Sequence, residues 1–112
     1  MTLIAATLDF SEMQQNAGKA CGLLKAMANE ARLMVLCRLI EGEKSVGELQ
    51  EAVGLSQSAM SQHLAVLRDQ NIVGTRRDGQ SVYYRIVDES ATELMETLHR
   101  QFCEGPPRKR RK

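Results

Sequence analysis

The stretch LSQSAMSQHLAVLR, residues 55–68, decides the architecture. Met60, Leu64 and Leu67 recur at i, i+4 and i+7, which lines one face of a helix with apolar side chains. Ser56 stands just before them as an N-cap. Gln57, Ser58, Ser61, Gln62 and Arg68 all lie away from that stripe. Small hydroxyl and amide side chains near a helix N-terminus can approach base edges and phosphates: Gln pairs with adenine through two hydrogen bonds, while Ser and the helix end suit phosphate. A solvated polar face would look the same, so the flanking residues must decide. Upstream, Ser45 opens a short helix with Val46, Leu49 and Val53 facing inward, and Val53-Gly54-Leu55-Ser56 forms a tight turn. Gly54 supplies the left-handed backbone position such a turn needs. Two short helices joined this way make a helix-turn-helix.

Downstream the period changes. Val82, Tyr84 and Ile86 alternate with Ser81, Tyr83 and Arg85, the period of a strand. Asp78-Gly79 reads as the tip of a type I′ hairpin spanning Ile72–Val87. Arg76 and Arg77 precede that tip, so the hairpin carries cations beside the reading helix, where a wing can reach the DNA backbone or minor groove. A charged hairpin kept soluble is the plainer alternative. Further out, Asn29 caps a helix with Leu33, Leu36, Cys37 and Ile40 on one face, and Gly42 stops it. Ser11-Glu-Met-Gln14 and Ser90-Ala-Thr-Glu93 read as capping boxes. The first opens a helix striped by Met13, Ala17, Ala20, Leu24 and Met27; the second opens one striped by Ala91, Leu94, Leu98 and Phe102, ended by Gly105-Pro106-Pro107. The expected fold is mainly α with a β-hairpin wing, in the order α-α-α-α-β-β-α: a winged helix-turn-helix domain over residues 11–105, a flexible N-terminus 1–10 and a basic tail 106–112.

Composition bounds the function. A chain of 112 residues, 43% apolar and 26% charged, suits one globular domain. With no Trp, two Tyr and two Phe, a second copy is expected to help cover its apolar surface. The net charge of +1 conceals regional differences. Residues 1–55 carry −2, residues 56–87 carry +2, residues 88–107 carry −4, and residues 108–112 (RKRRK) are all cationic. The positive charge is thus confined to the wing region and the tail. No run approaches a membrane span, and MTLIAATLDF has no basic region before Asp9, so a cytoplasmic protein is expected. Three cysteines without a CxxC make no extracellular disulfide framework. A thiol redox enzyme is the rival of a different class; no CxxC, Gly-rich cofactor loop or general-base constellation supports it, and no cofactor is expected.

Residues 23–86, and most specifically LSQSAMSQHLAVLR with the wing pattern G-x-R-R-x-G-x-x-V-Y-Y-R, resemble the ArsR/SmtB family of winged-helix repressors. The resemblance covers roughly residues 20–103. It implies a homodimer with the first and last helices packed across the two-fold axis, and a pseudo-palindromic operator with half-sites roughly one helical turn apart. It also implies that Gln57, Ser58, Ser61 and Gln62 face the major groove, with Arg76 and Arg77 on the wing. His63 matches a position the family commonly fills with His, where orienting or packing outweighs base contact. The family's two well-known metal sites are missing. The Cys-x-Cys positions of the arsenic and cadmium sensors hold Ser45 and Gly47, with Gln50 at a further Cys position. The zinc positions hold Asp88, Glu89 and Ser90, then Gln101 and Glu104, short of a four-ligand set.

Cys37 and Cys103 resemble the paired thiols of the family's persulfide-sensing SqrR/BigR/HlyU-type branch. That resemblance implies sensing of reactive sulfur species by a di- or polysulfide bridge between them, which releases operator DNA. The bland alternative is an inert core thiol at Cys37 and an incidental one at Cys103. A general thiol-oxidation sensor is a further reading, as is a soft-metal sensor in which Cys21 joins Cys37 and Cys103 with His99 nearby. Otherwise Cys21 is a small core or interface residue. Removing residues 108–112 should weaken non-specific DNA binding and flatten the fall of log K with log salt, since the tail offers up to five phosphate contacts. Titrations at several salt concentrations measure this. Loss of sequence-specific binding with the tail would show the recognition-helix reading to be wrong.

Overall fold

The computed structural model of the chain describes residues 8–104. The expectations for residues 1–7, for the Gly105-Pro106-Pro107 stop and for the basic tail lie outside them. The elements run α1 (Phe10–Met27), α2 (Glu30–Ile40), β1 (Lys44–Ser45), α3 (Val46–Val53), α4 (Gln57–Asp69), β2 (Val73–Asp78), β3 (Ser81–Ile86) and α5 (Glu89–His99), which continues into a π-helical segment at Arg100–Glu104. The winged helix-turn-helix order read from the sequence is therefore present, with β1 added. The three strands form one antiparallel sheet in the order β1-β3-β2.

Most helix starts follow the local capping chemistry. Asn29 accepts from the backbone N–H of Arg32, Ser56 from that of Ala59, and Ser45 from that of Glu48, whose carboxylate accepts in return from the Ser45 N–H. Two expected caps are displaced. Ser11 and Ser90 are not N-caps: α1 is capped by Asp9 and α5 by Asp88, each two residues earlier. A carboxylate at the positive end of a helix makes charge-assisted bonds to the free N–H groups, which a hydroxyl cannot match. The Asp88 carboxylate accepts from Ser90 N at 2.8 Å and from Ala91 N at 3.4 Å.

The hairpin turn also differs from expectation. Asp78 and Ser81 are paired residues, so the two-residue loop is Gly79-Gln80, with Gly79 at φ 66° and Gln80 outside the positive-φ region. Positive φ at the first loop position alone, held by Gly, is the type II′ pattern and not type I′. β1 was not legible in advance. It is two residues long, and its partners Tyr83 and Tyr84 lie far along the chain.

The core collects Val35, Leu36 and Leu39 from α2, Leu49 from α3, Met60, Leu64 and Leu67 from α4, Ile72 and Val73, and Ala91 and Met95 from α5. Fully burying each large aliphatic side chain is worth about 1.5–3 kcal/mol. Val35, Leu39 and Met95 were not on the expected stripes, while Ile40 and Phe102 were and are exposed. α1 buries only Ala26 and Met27 in the core, with Leu23 packed partly against it; Phe10, Met13 and Leu24 stay exposed in the single chain. Among the described residues no helix is long and apolar enough to cross a membrane.

The turn that aims α4 rests on Gly54, at φ 80° and ψ 35°. A Cβ there would meet no atom within 4 Å, so its cost would be conformational and not steric crowding. Gly54→Ala should therefore destabilise the domain by about 1–2 kcal/mol in denaturant melts without altering the folded spectrum. An unchanged or raised midpoint would show that the left-handed position is not what the turn requires.

Candidate nucleic-acid interface and thiol cleft

The buried stripe of α4 sets what its other face offers. With Met60, Leu64 and Leu67 at 0–1% exposure, the polar residues between them are turned outward. Gln57, Ser58, Ser61, Gln62 and Arg68 are all exposed, and His63 is half-buried. Gln57 and Ser58 occupy the first turn, where backbone N–H groups have no partner inside the helix. The Ser56 hydroxyl, 3.1 Å from Ala59 N, is committed to the cap.

His63 is held from behind. Its Nδ1 lies 3.2 Å from Arg32 Nη1, while Arg32 Nε donates to the Ala26 carbonyl at 2.6 Å. From the first turn of α2, one guanidinium thus touches the end of α1 and the middle of α4. Sequence reading did not single out Arg32. A signal existed: a cation in the first turn of a helix opposes the dipole, so its charge must serve something else.

The two wing arginines part company. Strand alternation puts Arg76 and Arg77 on opposite faces of β2. Arg76 Nε donates to both carboxylate oxygens of Glu43 at 3.1 Å and its Nη2 to one of them at 2.7 Å. Its Cζ lies 4.8 Å from the centroid of Tyr83, the residue paired with it on β3. Asp78 adds a weaker contact at 3.7 Å. The Arg76 charge is thus largely balanced within the fold. Arg77 is exposed and, among the described residues, has no ion pair. Glu43, also missed in the sequence, ties the wing to the loop before β1.

The thiols occupy different surroundings. Cys37 is half-buried at the edge of the core, on a cleft of about 390 Å³ lined also by Ile40 at the end of α2, its C-cap Glu41, and Met95, Glu96, His99 and Arg100. Cys103 is exposed in the π-helical segment, three residues past Arg100, and is not among the residues lining the cleft. Cys21 is exposed on α1. The cleft brings Cys37 to the segment leading to Cys103. Cys21 is not gathered with them: among the described residues no three His, Cys, Asp or Glu side chains form a group able to hold a metal.

A short helix, a glycine turn and an outward polar helix, flanked by a two-stranded wing, define a winged helix-turn-helix DNA-binding regulator. Residues 29–75 match the model of the bacterial regulatory protein arsR family. The chain is 48% identical to the transcriptional activator HlyU of Vibrio cholerae, over 92% of this chain and 95% of that protein. It is 41% identical to the biofilm growth-associated repressor of Xylella fastidiosa, over 82% and 81%. The structure of reduced HlyU from V. cholerae superposes with a TM-score of 0.80 at 50% identity, covering 84% of this chain and 99% of that one. The homodimeric winged helix-turn-helix domain of a possible ArsR-family regulator from Mycobacterium bovis superposes at 0.70 with 29% identity, over 84% and 86%. The chain belongs to the arsR family of bacterial transcriptional regulators.

The Arg76 hydrogen bonds hold the Glu43 carboxyl below the usual carboxylate range, and they raise Arg76 in turn. A carboxylate whose folded pKa is depressed contributes stability above its unfolded pKa and loses it as pH falls through the folded value. Carboxyl ¹³C titration should give Glu43 a midpoint below those of the unpaired glutamates, and Arg76→Ala should return it to the ordinary range. An ordinary midpoint in the parent protein would mean the contact does not persist in solution.

Proposed function

We propose that the protein is a dimeric repressor that reads a pseudo-palindromic operator through α4 and the wing, and that reactive sulfur species release it from DNA. In this reading Gln57, Ser58, Ser61 and Gln62 meet the major groove, with Arg68 toward the backbone and Arg77 an exposed wing cation that has no ion pair among the described residues. His63 and Arg76 position these elements. The exposed apolar residues of α1, together with Phe102 at 77% exposure, supply a surface a second copy would cover. A homodimeric relative supports that assembly. The names of the relatives include both an activator and a repressor.

The observation that carries the sensing half is the cleft that sets Cys37 beside the C-terminal part of α5. The chemistry balances. A cysteine thiolate attacks the sulfane sulfur of a hydropersulfide, forming a protein persulfide and expelling the low-molecular-weight thiol. The second cysteine thiolate attacks the sulfur bonded to the protein, forming Cys37–S–S–Cys103 and expelling hydrosulfide. Two protein persulfides condense instead to a trisulfide with loss of hydrogen sulfide. A direct disulfide requires Cα atoms within about 7 Å, and each added sulfur relaxes that demand. Forming either link draws the π-helical segment toward α2.

The test uses a duplex selected by the protein from a random pool, with glutathione persulfide as the probe. Intact-mass and peptide analysis should show Cys37 linked to Cys103 within one chain, with loss of the duplex in parallel. Absence of the link, or a Cys37→Ser/Cys103→Ser protein that releases DNA as the parent does, would sink the sensing reading. Metal binding lost in Cys21→Ser would instead support the soft-metal alternative.

A further inference from the structure

Three helices meet at the Arg32 guanidinium, and the chemistry at that junction is asymmetric. Arg is a donor only, with no acceptor atom. Its Nε is spent on Ala26 O, one of the carbonyls at the end of α1 that lack a partner within the helix. Two other carbonyls of the last turn are already served: Leu24 O accepts from Ala28 N and Met27 O from Asn29 N. Arg32 therefore completes the C-cap of α1 with a positive charge, where the helix dipole favours one. Its backbone is pinned as well, since Arg32 N donates to Asn29 Oδ1 at 3.0 Å. The guanidinium is thus held in place before it reaches α4.

What it meets there is Nδ1 of His63, at 3.2 Å. Because Nη1 can only donate, Nδ1 must carry the lone pair, and a neutral ring then carries its proton on Nε2. Among the described residues Nε2 has no hydrogen-bond partner, and His63 directly follows the exposed pair Ser61-Gln62. The ring is left with one unused donor, beside the polar face of α4. We infer that Arg32 is a positioning residue for DNA reading: it fixes the tautomer and orientation of His63, so that Nε2–H is presented as a neutral donor to a DNA phosphate oxygen, and it fastens α4 to the end of α1. This rests on the DNA-reading role of α4 proposed above. Arg32 itself touches no DNA in this scheme.

The first test needs no DNA. In ring ¹⁵N–¹H spectra of the parent protein near neutral pH, His63 should show an unprotonated Nδ1 and a protonated Nε2. Arg32→Met should release the lock and let the ring populate both tautomers. A parent ring carrying its proton on Nδ1 overturns the inference, and this measurement does not depend on whether any variant folds. The second test is a double-mutant cycle on the selected duplex, using Arg32→Met and His63→Asn; Asn keeps an oxygen near the place of Nδ1 but has no Nε2–H. Each single change should weaken binding about tenfold, the loss expected of one hydrogen bond, and the double variant should be no worse than about tenfold. Because a phosphate contact carries no base information, binding to an unrelated duplex should weaken by a similar factor in all three. Additive, roughly hundredfold loss would show that Arg32 acts independently of His63 and overturn the proposal. A parent protein that holds the tautomer yet binds no duplex overturns the DNA reading and leaves the Arg32–His63 link intact.

Discussion

The removal of one stripe of α4 from water governs the rest of the molecule. Met60, Leu64 and Leu67 are held at 0–1% exposure by α2, α3 and the residues that open β2. At about 1.5–3 kcal/mol each, they outweigh any surface contact the helix could make instead. A helix with three such anchors along two turns has no freedom to roll. Its polar face is therefore determined by default, and Gln57, Ser58, Ser61 and Gln62 face outward because their neighbours in sequence must face in. The recognition surface proposed above is a by-product of the core.

Local signals were legible because their energetics are local. Gly54 at positive φ, the Asn29, Ser45 and Ser56 caps, and the apolar spacing of α4 each act within a few residues. The same error occurred twice at the other helix starts, and for one reason. Asp9-Phe-Ser11 and Asp88-Glu-Ser90 each offer two caps two residues apart, and the carboxylate takes the amides. The site was less legible than the fold. Spacing places Arg76 and Arg77 together on a wing, but only the fold shows that Arg76 is met by Glu43, 33 residues upstream. The pairing of Arg32 with His63, 31 residues apart, was hidden in the same way. Fixed partners distant along the chain leave no period and no motif.

The apolar surface left over is unevenly placed. The core is complete around α2, α4 and α5 without most of α1, whose Phe10 is 79% exposed. A long helix that spends its own capping groups, yet buries only Ala26 and Met27, is poorly accounted for by a single chain. In the dimer proposed above, that face is where the second copy gains its contact area. The position of Cys21, exposed on the same helix, then falls near that seam and not near the thiol cleft.

α2 joins the two halves of the proposed function. Arg32, in its first turn, reaches α4 through His63; Cys37, five residues on, opens onto the cleft against α5. Between them Val35 and Leu36 are fully buried, so this stretch is a packed rod and not a loop that can absorb strain. Contiguity alone is not coupling; coupling requires an element whose arrangement both ends bias. The ends of α2 differ in that respect. Its N-terminal turn is fastened to α1 and α4 by an Arg with fixed hydrogen-bond geometry, while its C-terminal half faces an open cleft of about 390 Å³ that a sulfur link would draw shut. A pull applied at Cys37 therefore acts against a clamp at Arg32. The clamp holds the ring beside the proposed reading face, so the first contact such a pull would disturb is the one between Arg32 and His63.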